Sequence, residues 1–339
     1  MMSLMTLLFV LFGTATPQEA PDVGENLIDE PIAKDFSIER GRKFLDDASL
    51  QWQAERKCLT CHTNFAYLVT GAGRSAKRPA YTEVRKFTED LVGNRWAAKG
   101  PRWDTEVIVA AMGLAVSDAE GSGKLDPLTR KALDRMWTVQ RPDGGWNWIN
   151  CGWPPMESDD YYGVTVALLA TGRAPEGYAA TPAAQEGVQK VRDYLAKNAA
   201  PSLHHRAMLF WASKYLDGLM TAEEQKKTVE ELLALQRPDG GWALATFLEW
   251  KRSDGTPQEK DAGDGYGTGF VIHLARLGGI PASDPRIARG IDWIKSHQRA
   301  SGRWFTRSLK KDSRHFLTHA GTAFAILAFD DCIEGATAK

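Results

Sequence analysis

The sequence predicts an all-α ring of helical hairpins, an α/α toroid, on three observations. The string Gln140-Arg141-Pro142-Asp143-Gly144-Gly145-Trp146 recurs almost unchanged as Gln236-Arg237-Pro238-Asp239-Gly240-Gly241-Trp242 and, weakened, as Gln298-Arg299-Ala300-Ser301-Gly302-Arg303-Trp304. Upstream of each copy lies an amphipathic pattern, such as Leu128, Ala132, Met136 and Val139, while downstream the chain is apolar nearly all round, as in Val164 to Ala170, Phe270 to Leu277 and Thr322 to Phe329. Half-buried helices alternating with fully buried ones require an outer and an inner layer. The length of 339 residues agrees, because it exceeds what one compact core usually reaches and suits a ring that spreads its core. A composition of 43% hydrophobic and 25% charged residues excludes disorder, and 42 basic against 43 acidic side chains leave no field for nucleic acid.

Reading the degenerate copies with the same template gives six hairpins. Outer helices are expected at 38–48, 80–93, 127–139, 185–197, 222–235 and 285–297, and inner helices at 62–72, 103–117, 159–171, 202–217, 264–278 and 316–330. Pro-Asp-Gly-Gly between them reverses the chain: Pro fixes φ, Asp bonds its own backbone and Gly permits positive φ. The Gln is then free to bond backbone groups at helix ends, and the Trp ring to pack on the neighbouring hairpin.

The apolar run Leu4 to Phe12 is too short to span a bilayer and has the length of a signal-peptide core, with small residues Gly13 and Ala15 after it. Residues 1–15 therefore read as a signal peptide, although Met1 to Met5 carry no Lys or Arg; a buried N-terminal helix is the alternative. Residues 16–35 read as a loose segment and 36–332 as the ring. The mature chain is expected to be exported, periplasmic or otherwise extracytoplasmic, with no transmembrane span.

Arg289-Gly290-Ile291-Asp292-Trp293-Ile294 followed by Gln298, Gly302 and Trp304 matches the QW motif of squalene cyclases throughout, and Arg40-Gly41-Arg42-Lys43-Phe44-Leu45 repeats its first half. The chain thus resembles the squalene-hopene cyclase and protein prenyltransferase repeat superfamily over about residues 36–332, at the length of one barrel where full cyclases have two. The resemblance implies a cavity suited to an isoprenoid or similar hydrophobic ligand. It also gives Glu157-Ser158-Asp159-Asp160 a likeness to the D-x-D-D motif that protonates a terminal alkene, with Asp159 in the donor position, Glu157 in that of the first Asp, and Asp160 beside them. The plainer reading is that these residues cap a helix. Asp264-Gly265 and Leu317-Thr318-His319 resemble the zinc ligands of prenyltransferases, but Tyr266 stands where the thiolate belongs.

Cys58-Leu59-Thr60-Cys61-His62 is the attachment sequence for c-type haem, in which two thiols join the porphyrin vinyls and the His is the proximal iron ligand. One covalent haem c is the expected cofactor, with His62 on the iron and His204, His205, His315 or His319 as candidate distal ligands; a disulfide or structural thiol pair is the plain alternative. In the template the motif falls at the rim where all six inner helices begin. Cys151 and Cys332 lie at opposite ends of inner helices and are expected to be unpaired thiols. Three functions stay open at this level: a haem protein with a redox or ligand-binding role and an electron-transfer partner, a cyclase-like enzyme using Asp159 as acid, and a non-catalytic scaffold.

Overall fold

Alternate helices of the chain lie on two concentric rings. The computed structural model describes residues 21–59, 63–71, 77–312 and 316–337. The outer ring contains α1 (Ile38–Arg56), α3 (Pro79–Asp90) continued through a π-turn into the short α4 (Trp96–Lys99), α6 (Pro127–Thr138), α8 (Pro182–Lys197), α10 (Ala222–Ala234) and α12 (Pro285–Ser296). The inner ring contains α2 (Asn64–Gly71), α5 (Asp104–Glu120), α7 (Asp160–Arg173), α9 (Leu203–Ser213), α11 (Gly265–Leu277) and α13 (Phe316–Thr337). Each inner helix packs on the next, and α13 packs on α2, so the ring closes. All six predicted hairpins are present. The largest departure is α1, which runs on to Arg56 and ends on the left-handed residue Lys57.

Local chemistry explains where these helices start. Pro at the first position opens α3, α6, α8 and α12, where a missing N–H removes nothing from the helix. Asp126 and Asp284 cap α6 and α12, and Thr221 with Glu224 forms a capping box at α10. Inner helices are buried on every side, as α5 is from Thr105 to Asp118, whereas α6 buries only the stripe Thr129, Ala132, Leu133 and Met136.

The repeated string forms one joint three times. Gln140, Gln236 and Gln298 each donate from Nε2 to the Gly carbonyl four residues on (3.0, 2.8 and 3.0 Å) and to a carbonyl of the next outer helix or its cap, at Gly187, Arg286 and Ser37 (3.1, 2.8 and 2.8 Å). Trp146, Trp242 and Trp304 are fully buried, and each indole donates back to the end of its own outer helix, at Met136, Leu232 and Ile294 (2.9, 2.9 and 2.7 Å). The rings of Trp242 and Trp304 lie where a Cβ on Gly290 or Gly41 of the following helix would stand, 2.8 and 2.7 Å from the nearest ring carbon. Only glycine admits that approach, which accounts for the small residue of the motif.

Residues 21–35, expected as a loose segment, instead strap the last joint to α1, where Gln51 accepts from the Val23 N–H at 3.2 Å. Ile32 bridges Arg299 in antiparallel fashion, Glu30 pairs with the buried Arg303 at 3.0 Å, and the Val23 carbonyl accepts from Arg303 at 2.9 Å. The expectation failed because polarity and Pro content describe the segment alone, while its partners lie about the whole ring away in sequence. Residues 1–15, read above as a signal peptide, lie outside the described residues, as do 16–20. Among the described residues no helix is long and apolar enough to cross a membrane.

Candidate functional site

Inner helices start at one rim, and their caps bring the predicted polar residues there. Asp159 caps α7 by accepting from the Tyr162 N–H (3.0 Å), Ser202 caps α9, and Asp264 caps α11 by accepting from Gly267 (2.7 Å). The three carboxylates of the D-x-D-D-like segment do not converge. Asp160 accepts from Arg141 (2.5 Å) and from the Trp148 N–H (3.2 Å), whereas Glu157 sits in a turn whose backbone pairs with Trp153. Asp159 turns instead to His205 Nε2, 2.9 Å away, and accepts from the Ser158 hydroxyl. Burial pushes the Asp159 carboxyl up, but these hydrogen bonds and the His205 field prevail and hold it below the usual carboxylate range. An acid held ionised is in the wrong state to protonate an alkene, so the geometry favours the capping reading of Asp159.

The candidate distal histidines separate. His204 is fully buried, with Nε2 against the Tyr266 hydroxyl (2.9 Å) and its ring stacked on Phe270 (5.1 Å between centroids); burial drives its pKa far down and keeps it neutral. His205 engages both nitrogens, Nδ1 with Ser202 (2.8 Å) and Nε2 with Asp159. His319 is the candidate beside the haem-attachment sequence, since its Nδ1 lies 3.3 Å from Thr63, the residue after His62, and its ring meets Phe44 edge-on. His62, Cys61 and His315 lie outside the described residues.

The expected hollow between the inner helices is closed along one arc. Tyr162, His204, Phe270 and Phe324, from α7, α9, α11 and α13, form a continuous chain of ring contacts, with Tyr266 packed 5.0 Å from Phe324. Open space is found at the rim. One pocket of about 500 Å³ is bordered by Asp159, Ser202, His205, Phe247 and Trp250, and another of about 240 Å³ by Asp239, Asp264, Trp293, Phe305 and Arg307. The central cavity was predicted from helix geometry, which fixes the radius of the ring but not the size of the side chains that fill it.

Asp264 differs from Asp159 in the sign of its shift. Burial pushes its carboxyl up to about 6, against hydrogen bonds from Gly267, Leu244 and Thr306. The folded chain then binds that proton more tightly than the unfolded one. Its contribution to stability is full below pH about 4 and disappears as pH rises to about 6, a loss of about 2–3 kcal/mol. Urea midpoints measured from pH 4 to 7 should fall more steeply in the native chain than in Asp264→Asn; equal slopes would show that the carboxyl titrates normally.

The residues around Cys58 fit a covalently bound haem. Cys58 is a free, half-buried thiol just after α1, pushed up by burial against a hydrogen bond with Trp52 and the nearby charges of Arg102 and Arg56. Arg56 and Arg102 are cations within reach of a porphyrin propionate, although Arg102 also lies 4.0 Å from Glu106 and donates to the Lys57 carbonyl at 3.2 Å. Asn64 opens α2 two residues after His62, is fully buried, and neither atom of its amide has a hydrogen-bond partner among the described residues. An unmet buried polar atom costs about 1–3 kcal/mol, so this amide is open to a partner beyond the described residues. Sequence reading passed over Asn64, because nothing in its spacing distinguishes it. By contrast, no cluster of three metal-ligating side chains occurs among the described residues, so the zinc resemblance of Asp264 and His319 gains no ligand set. Cys151 and Cys332 are free thiols, as expected.

No protein-family model matches the chain, and no curated protein matches it in sequence. Solved structures do match in shape. The type II terpene cyclase MstE from Scytonema superposes with a TM-score of 0.54 at 13% identity, covering 88% of this chain and 98% of that one. A polysaccharide lyase superposes at 0.56 with 11% identity over 89% and 99%. The GH76A α-1,6-mannanase from Salegentibacter gives 0.53 at 8% identity over 86% and 98%. A cyclase, a lyase and a glycosidase on one scaffold identify the scaffold and leave the chemistry to the site. The chain is an α/α toroid of the kind shared by type II terpene cyclases and GH76 mannanases.

Proposed function

We propose that this chain is an exported haem c protein built on a single α/α toroid, with a redox or ligand-binding role. Cys58 and Cys61 would hold the porphyrin through thioethers, His62 would bind the iron, and His319, 3.3 Å from Thr63, would be the candidate for a second protein ligand. A bound haem c supplies a one-electron iron couple. The chain would supply the setting: Arg56 and Arg102 beside Cys58 would attract anionic groups, Asn64 offers a donor and an acceptor, and Phe44 packs edge-on against His319. The observation that carries the reading is the juxtaposition of Cys-x-x-Cys-His with that orphaned Asn64 amide at the start of α2. Export agrees with it, because haem is attached outside the cytoplasmic membrane. An electron-transfer partner would approach the rim. A hydrophobic ligand, like the geranylgeranyl dihydroxybenzoate bound by MstE, would enter by the same rim.

Co-expression with a cytochrome maturation system tests this. The denatured chain should retain haem on a stained gel, Cys58→Ala with Cys61→Ala should retain none, and His319→Leu should keep the haem but lose the low-spin α-band of the reduced protein. A folded, unstained native chain overturns the reading, and an unchanged spectrum in His319→Leu removes His319 from the iron.

A further inference from the structure

We propose that Ser202, His205 and Asp159 form a nucleophile, its base and an orienting carboxylate for acyl transfer from esters with apolar acyl groups, at the rim pocket between α7 and α9. Ser202 Oγ lies 2.8 Å from His205 Nδ1, and His205 Nε2 lies 2.9 Å from Asp159 Oδ2. Asp159 is held ionised and can only accept, so Nε2 carries the proton. In the neutral ring Nδ1 is then the acceptor, and the Ser202 hydroxyl donates to it. This is the arrangement that activates a serine, with the two ring nitrogens exchanged relative to the usual triad.

Capping alone does not require this connection. Ser202 and Asp159 would cap their helices without the imidazole, which instead joins two hairpins across 46 residues of sequence. The ring is almost fully buried and fixed edge-on by Tyr161 (5.7 Å, 87°) and by His204 (6.0 Å, 85°), so its nitrogens are aimed. The pocket of about 500 Å³ offers Leu203, Phe247, Leu248 and Trp250 to an apolar acyl chain. The N-terminus of α9 faces the same space, where its dipole favours the oxyanion. In the reaction, Ser202 Oγ attacks the ester carbonyl carbon and its proton passes to His205 Nδ1. The bond to the alcohol oxygen then breaks and the leaving alcohol takes that proton; water next attacks the acyl-serine, releasing the acid and restoring Ser202.

The test is labelling of the full chain with a fluorophosphonate, in which Ser202 Oγ displaces fluoride from phosphorus, read by peptide mass spectrometry. Stoichiometric label on Ser202 is expected, with none in Ser202→Asp, which keeps a capping acceptor, and at least a 100-fold slower rate in His205→Gln. Asp159 is a positioning residue, so Asp159→Asn should both slow labelling and move the pH midpoint of its rate downward, since the imidazolium loses its carboxylate. Tyr161 and His204 against the ring, and Glu249 and Lys260 across the pocket, are the other titratable groups that face it and remain unchanged in that comparison. A folded native chain that takes no label, or takes it on Ser158 or elsewhere, overturns the proposal; so does an unaltered rate in His205→Gln.

Discussion

Gly302→Ala is expected to destabilise the ring by about 3 kcal/mol or more, against about 1–2 kcal/mol for Gly279→Ala. Both glycines have positive φ, 101° and 86°, so the backbone penalty is shared. They differ in what an added Cβ meets. At Gly279 nothing lies within 4 Å, whereas at Gly302 the Cβ would overlap the Arg40 carbonyl oxygen, a backbone atom of the first turn of α1 that no rotamer change can move. Relief requires α1 to retreat, and that pulls Ser37 away from Gln298, which bonds both its N–H and its carbonyl at 2.8 Å. Chemical denaturation of the two variants measures the difference. Equal losses would mean that the joint tolerates displacement and that the close approach is not what holds the ring shut.

Asp330→Ala attacks the same closure from the inner layer and is expected to cost about 3–5 kcal/mol. Arg42 of α1 donates through Nη2 to both carboxylate oxygens of Asp330 on α13, at 2.8 and 2.7 Å, and both residues are buried at 8% exposure. Removing the carboxylate takes two charge-assisted hydrogen bonds from a buried guanidinium. The double variant Arg42→Met with Asp330→Leu should recover part of the loss, because it removes the buried guanidinium together with its carboxylate. A loss under about 1 kcal/mol in the single variant would place the pair among weakly coupled surface bridges.

Much of the ring was legible because its determinants are local or repeated. The stripe Ala132, Leu133 and Met136, the Pro at the head of α12 and the Gln-to-Trp joints are written within a few residues of where they act. The π-turn after α3 and the extension of α1 were not, since neither depends on a pattern of period 3.6. The sites were less legible than the fold. Ser202 three residues before His205 at a helix start is a readable spacing, but the partner that orients the imidazole, Asp159, comes from another hairpin. Nor does sequence say that Asp159 and Asp160 point to different neighbours, or that Asp264 is the carboxyl that burial pushes up. Asp159 and Asp160 diverge because the start of α7 lies between the joint at 140–146, where Asp160 accepts from Arg141, and the start of α9, where His205 meets Asp159.

Pyridine haemochrome analysis of the chain co-expressed with a cytochrome maturation system, combined with its intact mass, tests the central claim. The account predicts one haem per chain, retained after acid–acetone extraction, with the α-band of a porphyrin whose vinyl groups have been saturated by thioethers. A folded chain of unmodified mass with no such band, produced in a host that loads other c-type cytochromes, would contradict it.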